Sequence, residues 1–124
     1  MSEELDFREP SSEERLLFQR LLEADFPGKR EVADQLSACR VRIVDPEGSL
    51  ELDPGADSNR APVDKRIPVE AEGADEDGIF VHILLHVVNG IVKELEIYKD
   101  DSSPIKKMPD ARDLKPIVLP SKPA

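Results

Sequence analysis

The segment over residues 80–99, Phe-Val-His-Ile-Leu-Leu-His-Val-Val-Asn-Gly-Ile-Val-Lys-Glu-Leu-Glu-Ile-Tyr-Lys, constrains the fold more than any other part of this chain. Two apolar, β-branched runs meet at Asn89-Gly90, the dipeptide that most readily supplies positive φ at both central positions of a type I′ turn. A long β-hairpin is predicted. With a two-residue turn Val88 faces Ile91, and the register of both strands follows. His82, Leu84, His86 and Val88 then share a face with Ile91, Lys93, Leu95 and Ile97. Val81, Ile83, Leu85 and Val87 share the other with Val92, Glu94, Glu96 and Tyr98. This register puts Glu94 and Glu96 away from both histidines and disfavours a His–Glu acid–base pair. Tyr98, opposite Val81, reads as a rim residue with its ring inward and its hydroxyl outward.

The two histidines also test a metal reading. A His-x-x-x-His pair on a helix can grip one zinc ion. A run this rich in Val and Ile that stops at Asn-Gly is a strand, where four residues separate the two Cα atoms by ~13 Å. That spacing does not let two imidazoles converge on one ion. No metal site is expected. Asp75-Glu76-Asp77-Gly78 resembles a calcium loop only superficially, because Gly73 stands where the first ligand belongs and no closing Glu follows. It reads as an acidic hairpin turn.

Around the hairpin the chain divides into clear segments. Residues 1–10 are expected to form a mobile acidic leader, and residues 11–114 a single α+β domain. Ser11 with Glu14 forms a capping box for a first helix, whose stripe is Leu17, Phe18, Leu21 and Leu22. Pro27-Gly28 ends that region, and a second helix is predicted from Lys29 to Ser37. The period then changes to alternation. Val41 and Ile43, the turn Asp45-Pro46-Glu47-Gly48, and Leu50 and Leu52 make a first hairpin. Residues 53–65 read as a loop, and Ile67, Val69 and Ala71 as a strand whose Pro68 puts it at an edge or a strand start. A short helical turn is possible near residues 110–114. Residues 115–124 contain Pro116, Pro120 and Pro123 and form a Pro-rich tail with no regular helix or central strand. The expected architecture is two-layer, with two N-terminal helices packed on one face of an antiparallel sheet of about five strands.

Composition narrows function mainly by exclusion. A chain of 124 residues can bury a core without disulfides or metal. The single cysteine, Cys39, excludes an internal disulfide, and the chain has no signal-like or bilayer-length apolar run; a cytoplasmic protein is expected. A net charge of −10 repels nucleic acid and anionic lipid and speeds encounter with a basic partner. With four Phe, one Tyr and no Trp, a base-stacking platform is not expected. No phosphate-binding glycine pattern, nucleophile elbow or Cys/His cluster is present. Cys39 lies near Arg40 and Arg42 but has no histidine of evident orientation, so it reads as a buried structural residue.

Several segments together resemble a family of short uncharacterised bacterial proteins. They are the Asp25-Phe26-Pro27-Gly28 break, the Ile67-Pro68-Val69-Glu70-Ala71-Glu72 strand, the run Val81-His82-Ile83-Leu84-Leu85-His86-Val87-Val88, and Leu95-Glu96-Ile97-Tyr98-Lys99-Asp100-Asp101 with its Ser-Pro-Ile continuation. The resemblance covers roughly residues 14–110. It implies a shared fold and brings no activity, cofactor or catalytic residue.

Two functional readings stand at this stage. The first is a non-enzymatic protein-interaction module, inhibitor- or immunity-like, that binds a basic partner through its acidic surface, of which residues 70–78 are the densest part. The second is a small-molecule binder or weak enzyme with a pocket beside His82 and His86, joined by Tyr98 or Cys39. No catalytic set and no cofactor is expected under the first, and the sequence leaves the oligomeric state open.

Overall fold

The capping box at Ser11 starts the first helix as expected. The Ser11 hydroxyl accepts from the Glu14 amide at 3.2 Å, and the Ser11 amide donates to the Glu14 carboxylate at 2.8 Å. Helix α1 runs Ser12–Leu21 and α2 runs Lys29–Ala38, separated by a turn in which Gly28 takes φ of 85°. The computed structural model describes residues 7–120. Strands β1 (Arg40–Ile43), β2 (Leu50–Asp53), β3 (Glu70–Ala74), β4 (Phe80–Val88), β5 (Ile91–Lys99) and β6 (Lys115–Ile117) form one antiparallel sheet in the order β1-β2-β5-β4-β3-β6. The chain is therefore α+β with six strands, not about five. The additional strand, β6, falls in the segment read as a tail, and its Pro116 is accommodated because β6 is an edge.

One buried cluster joins Phe18 and Leu21 of α1 and Val32 and Leu36 of α2 to Val41, Leu52, Val81, Ile83, Leu85, Leu95 and Ile97 of the strands. Gln35 of α2 is also buried and ties helix to hairpin. Its amide nitrogen donates to the Asn59 and Gly90 carbonyls at 2.7 and 2.8 Å, and its oxygen accepts from the Val92 amide at 2.8 Å. Residues 53–65, read as a loop, are held at this point, because the Ala61 amide donates to the Gly90 carbonyl at 2.8 Å.

The expected leader divides. Residues 1–6 lie outside the described residues, but Arg8 exchanges two backbone hydrogen bonds with Val41 and covers the outer edge of β1. Its guanidinium makes two bonds to Glu14, at 2.8 and 2.9 Å, and this contact chiefly holds the Glu14 carboxyl below its ordinary range. One sheet edge is thus occupied and the other is short and carries proline, which blocks open-ended strand addition.

The turn at Asn89-Gly90 has the expected geometry, with φ of 53° and 78°. A Cβ at Gly90 would sit 2.8 Å from Arg60 Cβ and 3.0 Å from the Ala61 amide and carbonyl. Gly90→Ala therefore meets both left-handed strain and a collision with backbone, and should cost roughly 2–4 kcal/mol in urea unfolding. Gly48→Ala, with φ of 93° but nothing within 4 Å, should cost only about 1 kcal/mol. Equal losses at the two positions would show that packing against residues 60–61 contributes nothing.

The hairpin register differs from the regular one. Val88 pairs with Ile91 and Val87 with Val92, but His86 pairs with Glu94, leaving Lys93 as an extra residue in a β-bulge. Beyond it every β5 residue changes face. Leu95, Ile97 and Lys99 now join Leu85, Ile83 and Val81, while Glu94, Glu96 and Tyr98 join His86, Leu84 and His82. The expectation that Glu94 and Glu96 lie away from the histidines is corrected. The reason is desolvation: a regular hairpin would press both glutamates against the apolar core, at several kcal/mol per uncompensated charge.

Candidate functional site

Cross-strand pairing defines the sheet face opposite the core as three rows. The first is Arg42, Glu51, Glu94 and His86; the second is Glu96, Leu84, Glu70 and Ile117; the third is Tyr98, His82, Glu72 and Lys115. Phe80 and Tyr98, each 40% exposed, add aromatic area at one end. The residues of these rows are half-buried or exposed, whereas Val41, Leu52, Ala71, Val81, Ile83, Leu85, Leu95 and Ile97 on the other face are buried. This open face holds His82, His86 and Tyr98, the residues singled out in the sequence.

Both histidines are bonded to carboxylates. The His82 ring stacks on Tyr98 with centroids 4.9 Å apart, its Nε2 is hydrogen-bonded to Asp100, and its Nδ1 lies 3.8 Å from Glu72. His86 Nδ1 accepts from the Arg66 Nε–H at 2.9 Å. An Arg donor fixes that nitrogen as the unprotonated one, so His86 Nε2–H donates to Glu96 at 2.8 Å. Burial raises the Tyr98 hydroxyl above its ordinary pKa, and the charges of Glu70, Asp100 and Glu96 push the same way.

A histidine–carboxylate pair is the orienting half of a general base. The other half is missing from these rows, which contain no Ser, Thr or Cys. Cys39 sits between α2 and β1, 1% exposed, and desolvation by burial raises its thiol to about 11. It is a packed thiol, not a nucleophile poised for chemistry. The histidine contacts are best described as ties across β3, β4 and β5. Among the described residues no group of three or more His, Cys, Asp or Glu is placed to hold a metal ion, and no helix is long and apolar enough to cross a membrane. Clefts of about 380 and 570 Å³ lie between α2 and residues 54–59 and between α1 and residues 108–112. Their linings include none of His82, His86 and Tyr98.

Sequence reasoning missed a buried charged cluster. Lys99 is 1% exposed, and its ammonium donates to Asp75 at 2.8 Å and Asp77 at 2.6 Å. Asp75, 4% exposed, also accepts from the amides of Glu76, Lys106 and Lys107. The acidic turn is thus partly an internal anchor that fastens the segment after β5 to the β3–β4 connection. A signal was available: Lys99 continues the alternation of Leu95 and Ile97 and so occupies a core-facing position.

Fold and face together define a small α+β domain whose antiparallel sheet presents one open, carboxylate-rich side. The chain belongs to the family described as Domain of unknown function (DUF6984), whose model matches residues 7–109. No curated protein and no solved structure matches it.

Proposed function

We propose that this domain is a non-enzymatic interaction module whose open sheet face binds a basic protein partner. The observation that carries the reading is that Glu51, Glu70, Glu72, Glu94, Glu96 and Asp100 share one exposed face with Tyr98 and Phe80, which lie at one end of it. Aromatic anchors beside a charged surface are what a specific interface uses, and a net charge of −10 speeds encounter with a cation. In this reading α1 and α2 lie across the Val81, Ile83 and Leu85 side of the sheet and leave the other side to the partner. The domain then works in a bacterial cytoplasm, in keeping with a single, buried, free Cys39.

An arginine-rich peptide titrated into the labelled protein tests the surface. Amide shifts should concentrate on β3, β4 and β5 and weaken with added salt. The variant Glu70→Gln/Glu72→Gln/Glu96→Gln should bind about tenfold more weakly. A control that removes as many charges elsewhere, Glu31→Gln/Asp34→Asn/Glu47→Gln, should change affinity less than about twofold. Equal weakening by the two variants would reduce the effect to net charge and remove the case for this face.

A further inference from the structure

Leu16 is out of place on α1. It is 51% exposed, on a helix whose core contacts are made by Phe18 and Leu21. With Glu13, Leu17 and Arg20 it forms one side of the helix, at i, i+3, i+4 and i+7. That side does not meet open solvent alone. Residues 108–112 run opposite it, enclosing the cleft of about 570 Å³ whose apolar lining is Leu16, Leu17, Met108, Pro109 and Ala111.

The opposing segment has only a single 3-10 turn, at Ala111–Asp113, yet it is fixed at both ends. Upstream, Asp75 holds the amides of Lys106 and Lys107 at 2.7 and 2.9 Å. Downstream, Arg20 Nε donates to the Leu114 carbonyl at 2.8 Å, and Leu114 is buried against Gly73, where any Cβ would meet its Cδ2 at 2.9 Å. Gly73 in the middle of β3 is what lets this stretch of chain lie so close to the sheet. The cleft is therefore held apart by bonds outside it, and little ordering cost remains for a ligand to meet. Its volume lies within the range of small-molecule sites.

From these features we infer that the cleft between α1 and residues 108–112 binds a small molecule with an apolar body and a primary ammonium group. The apolar lining takes the body. Glu13, Asp110 and Arg112 are the charged residues of the lining, and Arg112 lies 3.7 Å from Asp110, so the rim is left with a net negative charge. The charge of −10 on the whole chain acts in the same direction, against carboxylates and for amines. This site is separate from the open sheet face and stands independently of the partner proposed for it.

The test uses 4-phenylbutylamine, 4-phenyl-1-butanol and 4-phenylbutyrate as probes, titrated into the full-length labelled protein. The amine should give saturable shifts at the amides of Leu16, Leu17 and Ala111. The alcohol should bind more weakly and the carboxylate at least about fivefold more weakly than the amine. Leu16→Gln replaces an exposed side chain and should leave the melting temperature unchanged while reducing amine affinity about tenfold. Glu13→Gln/Asp110→Asn should remove the preference for amine over alcohol without abolishing binding. Shifts that do not saturate, that centre away from the cleft, or that are equally strong with the carboxylate would overturn the assignment.

Discussion

Lys99→Met is expected to lower the melting temperature by roughly 10–20 °C, the largest loss from any single substitution at a polar position here. The substitution keeps length and apolar stem but leaves Asp75 and Asp77 without the ammonium they share. Removing one partner of a buried ion pair is far more damaging than the pair is stabilising, because the remaining charge stays desolvated. The pH dependence carries the same signature. Burial pushes the Asp75 carboxyl upward, but hydrogen bonds from Lys99 and from the Lys106, Lys107 and Glu76 amides outweigh it and hold it well below the usual carboxylate range. Stability from a depressed carboxyl is fully present above its unfolded value of about 3.9 and is lost as pH falls through the folded value. Burial lowers the Lys99 ammonium, but Asp75 and Asp77 raise it further. Its contribution is therefore complete below about 10.4 and is lost as pH rises through its folded value. Thermal melts of the wild type should show a plateau from about pH 5 to 9 with a fall on the acid side. In Lys99→Met that acid fall should be shallower, since the carboxyl moves back toward its ordinary range. A change in melting temperature below about 3 °C with an unaltered acid limb would mean that the trio contributes little.

Leu95→Glu is the second large effect. In the bulged register residue 95 pairs with Leu85 in the core, whereas a regular hairpin that kept Lys93 would pair it with Leu84 on the open face. A carboxylate buried in the core position without a partner should cost more than about 4 kcal/mol, enough to unfold much of a marginally stable domain. Deletion of Lys93 leaves the same pairs in a hairpin without the bulge, keeps Glu94 and Glu96 on the histidine side, and removes an exposed side chain, so it should cost far less. The pair of variants separates the face of residue 95 from the presence of the bulge. Circular dichroism and urea unfolding measure both. A Leu95→Glu variant as stable as the wild type would show that residue 95 does not face the core and that the bulge does not set the phase of β5.

The bulge also marks where the sequence was readable and where the reading failed. The capping box at Ser11, the break at Pro27-Gly28, the turn at Asn89-Gly90 and the two hairpins were all legible, because each rests on a local rule of backbone conformation. The faces of β5 were not, because the register was propagated from the turn alone. The apolar residues Val92, Leu95 and Ile97 already showed the phase change, since the first two are three positions apart, an odd spacing that alternation alone does not give. Giving those residues precedence over the turn would have put Glu94 and Glu96 on the histidine side. His82, His86 and Tyr98 do share that side, but their partners Asp100, Arg66 and Glu96 follow from the tertiary arrangement. Likewise the three hydrogen bonds of Gln35 exist only because the tertiary arrangement brings the loop at residues 59–61 and the hairpin turn against α2.

By itself the sequence determined the class of the fold, the order of its helices and hairpins, and the absence of any local catalytic or nucleotide-binding motif. Those follow from propensity, capping, turn chemistry and charge, which act over a few residues. Only the tertiary structure decided that β6 closes the sheet, that Lys99 turns inward to Asp75 and Asp77, and that the carboxylates of β3 and β5 gather beside the histidines. The reason is the cost of desolvating charge. That cost is set by which segments, distant in sequence, cover each side chain, and it selected a bulged register over the one the turn alone would favour.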